Sequence, residues 1–379
     1  MGWVRTLHCG VLLATAVILA ACQATGGAHT AALGRPIQVE RLKLDVPDAW
    51  GGEVRCTAKA GCRLLAVEHE NSMLVLHQLG PGRTSRLLDK QKLAYHPDGA
   101  AWLEDDLVVA SVEASHSLDV YRVEGERLRL LEQIDVGIPP RDVVVVSSEQ
   151  GRYRLLATPY SRNEVVWVDY IPGESAARSV PKAPAGQVTR VKWCEAPWHP
   201  VRVERAPGSP TGGVAVACLD EQRVLFVPHD DLLGMPQVLL KVPGEERIVS
   251  RQARISPSGR WLYVALELGG RNLRIDMDSG AFQWIIAPTP GGVSTLPLTD
   301  DVVVWGFDTS LYLQRLSSGG EVLETRWLDV SGFPTGLQLK DVDGDGEDDL
   351  IVLNSASLPQ KKAGVEVIYG PVWERAQVR

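Results

Sequence analysis

The sequence predicts an all-β protein built by repeating a four-strand unit, and three observations carry that expectation. Short apolar runs alternate with clusters of turn residues, and the 36 Gly and 24 Pro punctuate the chain throughout. No long segment past the first residues keeps the 3.6-residue period of an amphipathic helix. Similar strand patterns also restart near Val46, Leu93, Ile138, Ala185, Glu246, Gly291 and Phe333, a spacing of about 46 residues. Seven units of that size match the blades of a seven-bladed β-propeller with four-stranded antiparallel blades. The fourth unit is longer, with a Pro- and Gly-rich insert expected near 197–213. The expected organisation is a leader over 1–21, a tether over 22–45 with room for a closing strand, and the propeller over 46–379.

The leader comes first in the chain. Arg5 supplies a positive start, and Val11 to Ala21 is an uncharged apolar run of signal-peptide length, too short to span a bilayer. It ends in Leu19-Ala20-Ala21-Cys22, which resembles a bacterial lipobox. That resemblance implies cleavage before Cys22 and its lipidation, so that several acyl chains form a stable membrane anchor. Gln23 follows in place of the Asp that marks inner-membrane retention, which points to the outer membrane of a bacterial envelope, on its periplasmic or surface face. The small and polar residues from Gln23 to Pro36 read as a flexible tether.

Charge narrows the partners. With 39 Lys+Arg against 47 Asp+Glu the formal net charge is −8, and no basic stretch follows the leader. This argues against nucleic acid as a partner. Membrane attachment must therefore come from the lipid, and the remaining partner is expected to be an envelope or extracellular protein or a glycan.

Past Cys22 there are four cysteines, Cys56, Cys62, Cys194 and Cys218. In an oxidising compartment an even number suggests two disulfides, for which three pairings exist. No C-x-x-C pair is present, which disfavours a zinc site and a c-type haem.

The units have content as well as length. VGIPPRDVVVVSSEQGRYRLLATPYSRNEVVWVDY (136–170) and ISPSGRWLYVALE (255–267) resemble the YVTN-type surface propeller repeat, with Ser258 where the family usually carries Asp. In the blade frame Cys56 ends a first strand and Cys62 begins the second. Cys194 and Cys218 take matching places in the fourth unit. The frame thus pairs Cys56 with Cys62 and Cys194 with Cys218, each bridge stapling one hairpin.

DVDGDGEDDLIVL (341–353) is the sharpest chemical signal. Asp341, Asp343 and Asp345 alternate around a loop that Gly344 and Gly346 allow to turn, with the Glu347 carbonyl and Asp349 as further oxygens. Hard oxygen donors at this density suit Ca²⁺. Val352 stands where an EF-hand would carry its bidentate Glu. The loop instead resembles the FG-GAP/VCBS propeller loop, which implies one structural calcium between the first two strands of a blade.

Catalytic signatures are scarce. The usual short motifs, G-x-S-x-G, H-E-x-x-H, the P-loop and G-x-G-x-x-G, are absent. His29, His69, His77, His96, His116, His199 and His229 do not recur at one blade position, which disfavours a His-lined central metal. His69 and His116 both fall in turns between second and third strands, each near an acid (Glu68, Glu70, Glu113), where the mouth of a propeller funnel is expected. Equivalent turns place Arg162, Asn163, Asp220, Arg271 and Asn272 on the same rim. A polar, mixed-charge rim suits a protein or glycan. The expected function is a surface-tethered binding or scaffolding module. A propeller hydrolase, lactonase- or phosphoesterase-like with a funnel metal, is the alternative. The 11 Trp lack the repeated docking motif of quinoprotein propellers, and their abundance alone suggests a redox-associated subunit.

Overall fold

The computed structural model describes residues 40–373 apart from 160–161, 174–186, 210, 220, 232–233, 243–249, 268–269, 290 and 357–362. The expected leader and Cys22 lie outside the described residues.

Seven four-stranded antiparallel sheets make up the fold. The first six are meanders of consecutive strands, with inner strands Ala49–Thr57, Pro97–Trp102, Pro140–Glu149, Pro197–Val203, Ser250–Ile255 and Gly292–Pro297. In the seventh, Phe333–Lys340, Asp349–Ser355 and Val365–Ile368 are completed by Arg41–Leu44 from the other end of the chain. That pairing, from Arg41 opposite Ile368 to Leu44 opposite Val365, closes the ring by uniting both ends of the propeller in one blade. Helix is confined to one 3₁₀ turn, His229–Asp231, among the described residues.

Burial explains why the strands read as short apolar runs rather than as alternating ones. Second strands such as Leu107–Val112 and Trp261–Leu266 are buried along their whole length, because each blade packs on both faces. Outer strands such as Thr84–Lys92 have no buried residue and combine exposed and half-buried positions. The core is divided into slabs between neighbouring blades. One unites Val109 and Val120 of blade two with Val143, Leu155 and Val168 of blade three. Another unites Leu64 and Val75 of blade one with Ile351 and Val367 of blade seven. Trp305, wholly buried, joins Tyr263 at 6.0 Å between blades five and six. Tryptophan thus serves these slabs. The inner strands line the ring's axis with both apolar and polar side chains, among them Trp50, Val144 and Leu337 beside Asp98 and Arg141.

Both disulfides form the expected pairs. Cys56 and Cys62 face each other across the first hairpin of blade one. The fourth unit differs from expectation. Gln187–Lys192 closes blade three, so blade four starts at Pro197 rather than Ala185. Pro197–Val203, expected inside an insert, is its inner strand. Cys194 lies in the crossover from blade three and Cys218 ends the second strand of blade four. Their bridge therefore ties the crossover to the blade and does not staple a hairpin.

Candidate functional site

All seven inner strands share one irregularity. Each pairs with its neighbour through a register shift at its first residues, between Ala49/Gly52, Pro97/Ala100, Pro140/Asp142, Trp198/Val201, Ser250/Gln252, Gly292/Ser294 and Pro334/Gly336. A bulge bends the strand and re-aims a side chain. On blades two to five the bulged segments carry Asp98, Arg141, His199 and Arg251. All four line a cavity of about 540 Å³ on the ring's axis, together with Trp50 and Trp198.

The polar groups at this mouth are linked. The Nδ1 of His69 contacts a carboxylate oxygen of Asp98, and Arg141 Nε lies 2.9 Å from the other. The same Arg141 nitrogen is 3.1 Å from Glu113, which in turn receives His96 Nδ1 at 2.8 Å. The imidazoles of His69 and His96 meet edge to face at 3.8 Å. Burial works against a proton on His69, but the hydrogen bond and charge of Asp98, with Asp48 behind, outweigh it and raise its pKa. Burial would likewise raise Glu113, yet its hydrogen bond to His96 and the charge of Arg141 bring it below the usual carboxylate range. His69, His96 and Asp98 could together ligate a cation. The guanidinium of Arg141 already supplies the positive charge that the carboxylates of Asp98 and Glu113 face, so these groups read as a hydrogen-bonded network.

His199 is different. It lines the cavity, and its Nδ1 lies 3.0 Å from Asp142. Burial holds its pKa below the ordinary value despite Asp142, so the imidazole is neutral at neutral pH. Its φ of 41° is in the left-handed region, as is the 68° of His96, a conformation that non-glycine residues adopt sparingly. Beside His199, with ring centroids 5.4 Å apart, the Trp198 ring lies under two guanidiniums, those of Arg141 at 5.8 Å and Arg251 at 5.0 Å. Arg251 also pairs with Glu267 at 2.7 Å. Two histidines at one mouth, one pushed toward its charged and one toward its neutral form, are the environment in which acid and base roles separate.

The expected rim is gathered only in part. His69 is buried in the network, whereas His116 is exposed and His96 takes the place expected for it. Glu68 is held by Lys90 at 2.8 Å and Asn71 at 3.1 Å rather than by a histidine. Arg162 and Asn163 are exposed, and Asp220 lies outside the described residues. Arg271 stacks on Trp284 at 3.8 Å. Asn272 is not a rim residue: it is fully buried and accepts the Leu266 amide at 2.9 Å inside blade five.

At the acidic loop, Asp341, Asp343 and Asp345 bring carboxylate oxygens within 4.8 Å of one another. Asp341 accepts the amides of Gly344 at 2.7 Å and Gly346 at 3.0 Å, turns made by glycines at φ 82° and 90°. Arg83 of blade one reaches Asp343 at 3.2 Å. Asp349 is fully buried and closes the loop by accepting the amides of Val342 at 2.9 Å and Gly370 at 2.8 Å. Glu347 is exposed. The three outer carboxylates have the oxygen chemistry that calcium takes.

Compared with models of known families the sequence matches none, and it matches no curated protein. Solved structures are similar. Virginiamycin B lyase from Staphylococcus aureus superposes with a TM-score of 0.60 at 11% identity, covering 88% of this chain and 99% of that one. The periplasmic gluconolactonase of Pseudomonas aeruginosa gives 0.59 at 16%, covering 76% and 88%. Kuenenia stuttgartiensis hydrazine synthase gives 0.60 at 13%, covering 89% and 99%. The likeness is one of fold. It agrees with the seven-bladed ring, and the three named proteins differ in chemistry, so any activity must be argued from the site itself.

Proposed function

We propose that the funnel mouth is the active site of a hydrolase for a small polar molecule, with His199 as general base. One observation carries this: a neutral imidazole, its Nδ1 held by Asp142 at 3.0 Å, on the wall of a cavity of about 540 Å³. With Nδ1–H donated to Asp142, Nε2 is left to take a proton from water, the division of labour of a His–Asp pair. The resulting hydroxide adds to a carbonyl or phosphoryl centre. Arg141 and Arg251 stabilise the negative charge that develops, and the proton passes from His199 to the departing oxygen. The fold likeness to a gluconolactonase is consistent with hydrolysis, and the reading rests on the site itself. Exposed His116, Arg162 and Asn163 keep a protein- or glycan-binding module as the second reading.

Two further assignments belong to this proposal. Cys22 carries the lipid that anchors the protein in the bacterial envelope, and Asp341, Asp343 and Asp345 hold one structural Ca²⁺. The test of function is a panel of lactones and phosphate esters assayed with soluble Cys22→Ala protein. Turnover of at least one class is expected. Absence of turnover across the panel, with the protein folded, would overturn the hydrolase and leave the binding module.

A further inference from the structure

The cavity's cations are not equally occupied. Arg141 is met by Asp98 and Glu113, and Arg251 by Glu267. Arg254, further along the same inner strand, also lines the cavity. Three residues of strand place it about 10 Å below the mouth. Its hydrogen bond among the described residues is one from Nη1 to the Ala253 carbonyl at 3.2 Å, and it makes no ion pair there. Its side chain is half-buried on the cavity wall, and desolvation there holds its pKa below the usual guanidinium range. The acids that act on it from a distance are Asp142 and Glu53, and both are committed elsewhere. Asp142 holds His199 at 3.0 Å and the Val143 amide at 2.9 Å. Glu53 accepts the Trp102 amide at 2.9 Å, and burial pushes its carboxyl up.

A guanidinium presents five donors in a planar fork matched to carboxylate and phosphate oxygens. Even partial removal of such a group from water is unfavourable without a counter-charge beside it, and a cavity-facing guanidinium is open to an anion from the funnel. We infer that Arg254 is an anion seat: the molecule bound in the funnel carries a carboxylate or phosphate group, which Arg254 receives while the reacting centre lies nearer His199. Arg254 and Asp142 both act electrostatically on His199, so seat and base share one locale. This inference rests on the proposed active site and names its substrate class.

Calorimetric titration with inorganic phosphate and with acetate, against chloride at equal ionic strength, tests it without any turnover. At least one of the two should bind and raise the melting temperature, and which of them does so distinguishes phosphate from carboxylate. Arg254→Gln, which keeps the cavity's shape, should weaken that binding about tenfold or more, and Arg254→Lys should restore part of it. Arg86→Gln, on the exposed Arg86–Glu126 pair, should change nothing. His199→Asn should retain the anion while losing turnover. Anion binding without turnover in any substrate class would remove the hydrolase and leave the seat. Failure of both anions to bind beyond chloride, or an unchanged affinity in Arg254→Gln, would overturn the seat even in an active enzyme.

Discussion

His77 gives the most quantitative test of the packing. It lies in the third strand of blade one, Met73–Gly80, 5% exposed, and neither ring nitrogen has a hydrogen-bond partner. Alternation puts it on the same face as Val75 and Leu79, which pack into the slab against blade seven. Burial, with the charge of Lys90, lowers its pKa from 6.5 to about 4. Because the folded value is depressed, the unfolded chain binds the proton more tightly. Stability is therefore full above about 6.5 and is lost as pH falls toward 4. At pH 5 the unfolded imidazole is almost wholly protonated and the folded one mostly neutral, a difference of about 2 kcal/mol. His77→Leu removes the proton site and fills the same slab with an apolar group. Urea unfolding at pH 8 and pH 5 should show a loss on acidification about 2 kcal/mol smaller in the variant than in the wild type, since all other titrations cancel. An equal loss in both proteins would refute the burial argument.

Three other perturbations have defined outcomes. Cys22→Ala should move the protein from the membrane pellet to the soluble fraction, and a variant that stays with the pellet after a high-salt wash would contradict lipid anchoring. Chelation should lower the melting temperature by at most a few degrees in a domain this large, and Asp343→Ala should abolish that sensitivity, as read by calorimetry with and without calcium. Replacing both Cys194 and Cys218 by Ser should cost about 2–4 kcal/mol in chemical unfolding, because the bridge closes a loop with a sequence separation of 24.

Blade count was legible in the sequence because the repeat records a physical necessity: each four-strand unit must bury both faces on its neighbours, so apolar runs recur at the blade period. Cys56 and Cys62 were legible because a tight hairpin places its ends opposite each other. The boundary of blade four was not. QVTRVK (187–192) and PWHPVRV (197–203) are both short, and nothing local marks the first as an outer and the second as an inner strand. The site was hidden for a related reason. Turn chemistry pointed to residues between second and third strands, such as His69 and His116. Asp98, Arg141, His199 and Arg251 instead reach the channel through bulges, which exist only once two strands pair in a given register. Arg274 was equally invisible: fully buried, it donates to Gln283 at 2.7 Å and to the Ser317 carbonyl at 2.8 Å, joining blades five and six.

The measurement that bears most directly on the funnel mouth is kcat/KM of His199→Asn against the wild type, on whichever lactone or phosphate ester is turned over. Loss of a general base predicts a fall of about 10²–10⁴-fold with the melting temperature preserved, and a wild-type profile whose acid limb lies below the ordinary histidine value of 6.5. An unchanged kcat/KM in His199→Asn would show that the chemistry, if any, takes place elsewhere on the propeller.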